Sequence, residues 1–242
     1  MEQIIFFIIL FLIAAVYSSV GHGGASGYLA LLALYNFTPE FIRPTALVLN
    51  IFVSLLAFIQ FYRKGYFNLK LFLPLALASI PFAFWGGTIH IETSLYKIFL
   101  GIFLLLAAGR LTFFPDHIHL TEKKYNLPTV VLIGGIIGFI SGILGIGGGV
   151  ILSPVILLLS WTNQKQAAAT SALFIFVNSL SGLFGQLSAG GIWKTDMFWP
   201  VVVSLGGGLI GSYYGSHVFA HRTVKLILSF VLVIASFKLI FF

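Results

Sequence analysis

Residues 3–39 form the first of two very long runs without a charged side chain, and this run holds 37 residues. As one continuous α-helix it would be more than ~50 Å long, whereas the hydrocarbon core of a bilayer is about 30 Å thick. The chain must therefore break or fold back within the run. The stretch SSVGHGGASGYL, residues 18–29, carries four glycines, and it predicts where the helix breaks.

The whole chain has the composition of a membrane protein. Hydrophobic residues make up 59% of it, charged residues 8%, and the mean hydropathy is +1.07, far outside the range of soluble domains. The charge-free runs are 3–39, 44–62, 71–91, 98–109, 125–164, 166–193, 197–221 and 226–237. The predicted fold class is an all-α polytopic membrane protein with about eight hydrophobic segments. The two runs of 12 residues are included, because flanking basic side chains can snorkel toward the head groups.

Other features narrow the class of protein. The chain has no cysteine, which excludes a disulfide framework and a thiolate metal site. Glu2 stands where a signal peptide has its positive end, so the first segment is predicted to be a retained helix. The net charge is +7, and the basic residues cluster at segment ends. This placement predicts contacts with anionic lipid head groups, and no nucleic-acid partner is expected.

The charge-free runs repeat in order: a very long run of 37 or 40 residues, two of ordinary length, and one of 12. Four pairs of stretches match in the same order: VGHGGASGYL with LGIGGGVILSP, RPTALVLNIFVS with AATSALFIFVNS, GYFNLKLFLP with GIWKTDMFWP, and YKIFLGIFLLLA with VKLILSFVLVIA. This pattern predicts two homologous transmembrane repeats at residues 1–110 and 128–242, joined by a polar linker at 111–127.

The orientation of the two repeats depends on the number of spans. Four spans in each half would give parallel copies, whereas a long run folded into two short segments would give inverted copies. Basic residues on the two sides of the membrane bear on this orientation. In the first half, one side has Arg63, Lys64 and Lys70, and the other side has Arg43 and Lys97. In the second half, the loop that matches the first of these sides has only Lys194, and the other side has Lys165, Arg222 and Lys225. The side with more basic residues is thus reversed between the halves, and under the positive-inside rule this reversal favours inverted repeats.

Both long runs carry adjacent glycines, in GHGG and GIGGG. Such glycines let backbone N–H groups converge, and the helix that restarts after them presents its positive end, so together they form an anion site without a formal charge. Broken helices at matching positions of two repeats indicate a transporter binding site near the midplane. The predicted substrate-binding residues are Gly21, His22, Gly23, Gly24, Ser26, Thr45 and Asn50 in the first half, and Gly145, Gly147, Gly148, Gly149, Thr170, Ser171 and Asn178 in the second. Gln186 is a further polar residue in an apolar segment.

Each of these polar residues has an alternative role. Isolated Ser and Thr side chains in membrane helices often bond their own backbone. His22 is either a substrate or proton-coupling residue or a hydrogen-bonded packing residue, and Arg43 either anchors the helix at the membrane surface or draws anions to the entrance. The glycines spaced by four have the pattern of close helix packing, and they are Gly134, Gly138 and Gly142, and Gly207, Gly211 and Gly215.

The acidic residues indicate the charge of the substrate. All six lie at predicted segment ends or in loops: Glu2, Glu40, Glu92, Asp116, Glu122 and Asp196. Transporter sites for cations, and most proton relays, use carboxylates within the membrane. A small anion is therefore the predicted substrate, and no cofactor or metal is expected.

At these residues the chain resembles the sulfite exporter TauE/SafE family. The matching stretches are GHGGASGYLALLAL with RPTALVLNIF, and GILGIGGGVILSPVILLL with AAATSALFIFVNSLSG, and the resemblance covers nearly the whole chain. It implies a multi-pass protein of the bacterial inner membrane with a glycine-rich segment early in each of two halves. It also implies export or uptake of sulfite, sulfonates or related sulfur-containing anions. The sequence is compatible with a homo-oligomer.

Two other functions are alternatives. The stretch GASG, Gly24–Gly27, resembles the nucleophile motif of rhomboid intramembrane proteases, with Ser26 as the nucleophile and His217 or His221 as the base. In rhomboids this motif belongs to a later span, and its repeat counterpart here, GGVI, has no serine. A lipid scramblase or membrane assembly factor has only the hydrophobicity in its favour.

Overall fold

The computed structural model describes residues 2–113, 124–191, 198–217 and 222–241. In these ranges the chain forms ten α-helices, and none of the described residues lies in a β-strand. The helices are α1 Glu2–Ser19, α2 Ala25–Leu34, α3 Pro39–Arg63, α4 Leu69–Thr88, α5 Thr93–Phe113, α6 Leu127–Leu144, α7 Gly149–Leu158, α8 Gln164–Ser188, α9 Phe198–His217 and α10 Arg222–Phe241. For this part of the chain the predicted all-α class is confirmed.

About eight predicted segments become ten helices because each very long run contains two of them. The run 3–39 contains α1 and α2, and the run 125–164 contains α6 and α7. Helices α1 to α5 have 18, 10, 25, 20 and 21 residues, and α6 to α10 have 18, 10, 25, 20 and 20. The two halves of the chain therefore have nearly the same order of helix lengths.

Five of the described helices, α1, α3, α4, α6 and α8, are long and apolar enough to cross a membrane. The two charge-free runs of 12 residues lie within α5 and α10, which have 21 and 20 residues. By contrast, α2 and α7 have ten residues each and are about 15 Å long, half the thickness of the hydrocarbon core. Neither can span the membrane by itself.

The outer surface of the helices is apolar. Leu106, Leu77, Phe230 and Leu132 are 69%, 66%, 66% and 62% exposed. Soluble proteins rarely expose apolar patches of such extent, whereas a surface that faces lipid tails requires them. The chain is therefore a multi-pass membrane protein with its polar side chains directed inward.

Glycines spaced by four bring two pairs of helices into backbone contact. A Cβ on any of them would collide with a carbonyl oxygen of the facing helix, so only glycine allows this approach. The facing pairs are Gly134 with Leu75, Gly138 with Ser79 and Gly142 with Ala83 between α6 and α4, and Gly207 with Phe11, Gly211 with Ala15 and Gly215 with Ser19 between α9 and α1. These six glycines have the predicted packing role. Residue numbers rise together in both pairs, so α6 runs parallel to α4 and α9 runs parallel to α1.

The two longest helices, α3 and α8, pack against each other in opposite directions. Leu47 lies in one buried cluster with Leu183, and Phe61 lies in another with Ala168. Residue numbers rise along one helix as they fall along the other, so the pair is antiparallel. The end of α3 and the start of α8 define what we name the Lys64 face, and the opposite ends define the Arg43 face.

These directions make a helical hairpin of each very long run. Helix α9 follows the end of α8, so the parallel helix α1 also starts at the Arg43 face, and α2 returns there before α3 begins. Helix α6 is parallel to α4 and starts at the Lys64 face, and α7 returns there before α8 begins. The hairpins α1–α2 and α6–α7 therefore enter from opposite faces, with their glycine turns inside the protein.

Candidate functional site

Two glycine segments form the turns of the hairpins, residues 21–24 and 145–148. Gly24 has a φ of +97°, and Gly147 and Gly148 have φ values of +67° and +79°. Glycine adopts this left-handed region without the steric cost that a Cβ imposes. The backbone can therefore reverse within a few residues and start a new helix.

The helices that restart after the glycine segments begin without a side-chain cap. The residues before α2 and α7 are Gly24 and Gly148, and neither helix start has a side-chain hydrogen bond. The N–H groups of a first helical turn have no acceptor within the helix, and the helix dipole places partial positive charge there. Each start can thus bind a negatively charged oxygen without a cationic side chain.

The side chain of Asn50 lies against both glycine segments. A Cβ built on Gly23 would be 2.7 Å from Oδ1 of Asn50, and one on Gly147 would be 3.2 Å from Nδ2. Because the glycines have no Cβ, both backbones can approach the amide of Asn50. Asn50 is one residue from the middle of the 25-residue helix α3, so the two segments and the amide meet about halfway along this helix.

Helix α8 supplies the facing side of this region with Ile175 and Ser179. The Cβ built on Gly23 would be 3.0 Å from Cγ2 of Ile175, and the one on Gly147 would be 2.6 Å from Oγ of Ser179. Neither residue is among those predicted for the site. The match of RPTALVLNIFVS with AATSALFIFVNS carries the signal that could have found them, because it pairs Asn50 with Ile175 and Ser54 with Ser179.

Many buried polar atoms on α3, α6 and α8 have no hydrogen-bond partner. Both polar atoms of Asn50 and the hydroxyl of Ser179 belong to this group. Other members on these helices include the hydroxyls of Thr45, Ser54, Ser141, Thr170 and Ser171 and Oδ1 of Asn178. Each such group costs roughly 1–3 kcal/mol when it stays unpaired. The unpaired atoms of Asn50 and Ser179 lie against the glycine segments that precede two uncapped helix starts, and this combination has the chemistry of a polar ligand site.

Two predicted residues use their hydrogen bonds within the protein. The hydroxyl of Ser26 donates to Oη of Tyr17 over 2.8 Å, which joins α2 to α1. Nδ2 of Asn178 donates to the carbonyl oxygen of Phe174 over 2.8 Å, within α8. The hydroxyl proton of Ser26 and this amide group of Asn178 thus have partners in the fold.

The buried imidazole of His22 connects the first glycine segment to α7. Its Nδ1 is 3.0 Å from the carbonyl oxygen of Val20, and its Nε2 is 2.8 Å from Oγ of Ser153. A carbonyl only accepts, so Nδ1 carries the proton, and in the neutral ring Nε2 accepts from the hydroxyl of Ser153. His22 therefore joins the two hairpins, which is a positioning role in the fold.

The other predicted glycines pack against neighbouring elements. Gly21 lies against the backbone of Ala168, and Gly145 lies against the backbone of Arg43, with its built Cβ 3.2 Å from the Arg43 Cα. Three more face side chains: Gly24 that of Tyr28, Gly148 that of Phe174, and Gly149 that of Ile175. In the part of the chain that the structure describes, no three His, Asp or Glu side chains form a metal-binding group.

Comparison with known proteins assigns the family. The family model for the sulfite exporter TauE/SafE matches residues 6–239. The chain belongs to the TauE/SafE family. The probable membrane transporter protein y4hK of Sinorhizobium fredii is 35% identical over 237 residues, which cover 96% of this chain and 96% of that protein. The probable membrane transporter protein YunE of Bacillus subtilis is 24% identical over 226 residues, 85% of this chain and 82% of its own.

A plant protein named for the TauE/SafE family matches a smaller part of the chain. The sulfite exporter TauE/SafE family protein 1 of Arabidopsis thaliana is 34% identical over 62 residues, 26% of this chain and 13% of that protein. No solved structure matches the chain. The predicted family is confirmed, and this TauE/SafE protein is a membrane transporter and not an enzyme.

The residues of the protease alternative do not form a catalytic pair in the described part of the chain. The hydroxyl of Ser26 donates to Tyr17 rather than to a histidine. The side chain of His217 and the whole of His221 lie outside the described residues.

Proposed function

We propose that this TauE/SafE protein carries small sulfur-containing anions, such as sulfite or organosulfonates, across the bacterial inner membrane. The proposed binding site lies between α3 and α8, where Gly23 and Gly147 meet Asn50. The observation that carries the proposal is the unpaired amide of Asn50, buried beside the unpaired hydroxyl of Ser179. A sulfonate or sulfite group has several acceptor oxygens, which suit these donors and the uncapped starts of α2 and α7.

The chemistry of the site favours an anion with a single charge. The groups around Asn50 are two glycine backbones, Ser179 and Ile175, and none of them carries a formal charge. Helix starts supply only about half an elementary charge each. A dianion such as sulfate would lose more hydration energy on entry than a monoanion would. Methanesulfonate, which has one fixed charge, is therefore the best simple probe of the site.

The two halves are proposed to be inverted repeats at residues 1–110 and 128–242. Three observations support this proposal. The helix lengths of the two halves match, and α3 packs antiparallel to α8. The contact of Gly21 with Ala168 is also matched by the equivalent contact of Gly145 with Arg43. Equivalent helices that run in opposite directions require a pseudo-two-fold axis in the membrane plane. Such an axis passes close to Asn50 and gives each membrane face its own hairpin and its own route to the site.

Transport in this arrangement follows from movement of the hairpins. The glycine-mediated contacts attach α1 to α9 and α6 to α4, so each hairpin moves with a long helix of the other half. Displacement of one hairpin exposes the site to one face while the other hairpin keeps it closed. This is alternating access around a fixed site, as found for other inverted-repeat transporters.

Substrate choice is tested by uptake into proteoliposomes that contain the purified full-length protein. We expect uptake of sulfite and methanesulfonate, and weaker or no uptake of sulfate and acetate, at two pH values. The two pH values separate the changing charge of sulfite from an effect on the protein, because methanesulfonate keeps one charge throughout. Uptake of acetate without uptake of either sulfur anion would contradict the proposed substrate class.

The inverted arrangement is tested by cysteine labelling, for which the chain offers a background without cysteine. Lys64 and Ser188 are both exposed and lie at the ends of α3 and α8. We expect Lys64→Cys and Ser188→Cys to react with a membrane-impermeant reagent from opposite faces. Reaction from the same face would rule out inversion. Lys194, one of the basic residues used above to predict the orientation of the halves, lies outside the described residues.

A further inference from the structure

A second polar cavity lies at the Arg43 face, away from Asn50. Its volume is about 410 Å³, and its lining includes Glu40, Arg43, His90, Tyr96 and Gln186. Cavities that bind small molecules usually have volumes of about 300–1,000 Å³. The cavity is formed by the start of α3, the ends of α4 and α8, and the start of α5, so both halves of the chain contribute to it.

The guanidinium of Arg43 has hydrogen-bond donors in this cavity that lack a close acceptor. Its Nη1 and Nη2 are 3.5 Å and 3.4 Å from the carbonyl oxygens of Ile89 and Gly142, longer than ordinary hydrogen bonds. Its Nε is buried without a partner, and its Cζ is 5.7 Å from the centre of the Tyr96 ring. The side chain is held in place, yet its hydrogen-bonding capacity is not used up.

Gln186 places a second unused donor in the same cavity. Its side chain is only 8% exposed, and its Nε2 has no partner. A buried amide nitrogen without an acceptor is costly, so the arrangement suits a ligand that brings one. Arg43 lies on α3 and Gln186 lies on α8. Together they provide a charged and a neutral donor in the lining of one cavity.

We propose that this cavity is a vestibule that binds the transported anion on its way to or from the site at Asn50. This proposal rests on the proposed function. The second glycine segment connects the two places, because Gly145 lies against Arg43 and Gly147 lies against Asn50. Along α3, Arg43 and Asn50 are seven residues apart, about 10 Å. The carboxylate of Glu40 also lines the cavity and opposes anion binding there.

The arginine of the vestibule has no counterpart in the matched stretch of the second half, where Ala168 corresponds to Arg43. By their position at described helix ends, eight of the thirteen basic residues belong to the Lys64 face: Arg63, Lys64, Lys70, Arg110, Lys124, Lys165, Arg222 and Lys225. The positive-inside rule makes that face cytoplasmic. The vestibule therefore opens to the outside, and its guanidinium raises the anion concentration at that mouth.

The test is protection of a cysteine in the vestibule, measured apart from transport. His90 is exposed and lines the cavity, so His90→Cys gives a thiol at its mouth. Methanesulfonate is the probe anion, because it does not react with thiols or thiol reagents. We expect it to slow labelling of His90→Cys by about threefold or more, against potassium chloride of equal ionic strength. Labelling of Lys64→Cys is the control on the opposite face and should not change.

Variants separate the vestibule from the site at Asn50. We expect Arg43→Gln to raise about tenfold the methanesulfonate concentration needed for half-maximal protection, as loss of one charge-assisted hydrogen bond implies. Arg43→Lys should raise this concentration less, and Glu40→Gln should lower it. Protection should persist in Asn50→Leu, which disables only the proposed central site. Absence of protection, or protection that Arg43→Gln leaves unchanged, would overturn the vestibule even if transport is normal. Protection that disappears in Asn50→Leu would place the anion at the central site alone and would also overturn it.

Discussion

Replacement of Asn50 by leucine is expected to reduce anion transport about 100-fold without loss of stability. The amide of Asn50 is buried, has no partner in the protein and lies against both glycine segments. In the transport cycle it would donate to the anion, and a hydrogen bond to a charged group contributes about 1.5–3 kcal/mol. In the empty protein the same amide costs desolvation energy. An apolar side chain of similar size removes that cost, so the thermal unfolding midpoint should stay equal or rise.

The opposite signs of these two effects distinguish a binding residue from a packing residue. A packing residue would lose stability and transport together. The measurements are uptake of methanesulfonate in proteoliposomes and thermal unfolding in detergent. Gln60→Leu, which removes an amide from the same helix away from the glycine segments, is the matched control and should retain transport. Normal uptake by Asn50→Leu, or lower stability with proportionally lower uptake, would contradict the proposed role of Asn50.

Much of the fold can be predicted from lengths alone. A charge-free run of 37 residues is too long for one membrane span. The glycines Gly21, Gly23 and Gly24 mark where the helix can break, because glycine adopts backbone conformations that other residues avoid. The break between α1 and α2 occurs at these residues. The spacing of Gly134, Gly138 and Gly142 likewise predicts close packing, because it places all three on one face of a helix. Both features depend on local sequence and bilayer thickness.

The composition of the site depends on helix crossing, which local sequence does not encode. Asn50 is a stronger candidate than Ser26 only because α3 passes between the two glycine segments, whereas Ser26 faces Tyr17. A serine or asparagine in an apolar segment has the same pattern whether it bonds its own helix, a neighbour or a ligand. Ser179 was missed for this reason, since its position becomes informative only once α8 is paired with α3.

The matched stretches of the two halves differ in the polarity of several paired residues. Asn50 corresponds to Ile175, Arg43 to Ala168, and His22 to Ile146. In each pair the polar member comes from the first half. In the proposed inverted-repeat arrangement the two routes to the site would be similar in shape, and these polar residues would make them unequal. Asymmetry of this kind is needed if the anion is to be bound more strongly from one face than from the other.

Replacement of Gly23 by alanine is also expected to reduce the rate of anion transport about 100-fold. The φ of Gly23 is not in the left-handed region, so alanine fits the backbone. Its methyl group does not fit the site, because it would be 2.7 Å from Oδ1 of Asn50 and 3.0 Å from Cγ2 of Ile175. Overpacking of this kind typically costs about 1–3 kcal/mol and moves the neighbouring side chains. Once displaced, the amide of Asn50 would no longer lie against both glycine segments.

Gly206→Ala is the matched control for this change. A Cβ on Gly206 would meet its nearest neighbour, the ring of Phe11, at an ordinary 3.5 Å, so transport and stability should remain close to wild type. The double variant Gly23→Ala with Asn50→Ala removes the collision with the amide, leaves the 3.0 Å approach to Cγ2 of Ile175, and does not restore the amide. We expect it to recover part of the thermal stability that Gly23→Ala loses, while uptake of methanesulfonate stays low. Recovery of uptake in the double variant would mean that the amide of Asn50 does not bind the anion and that Gly23 only provides space.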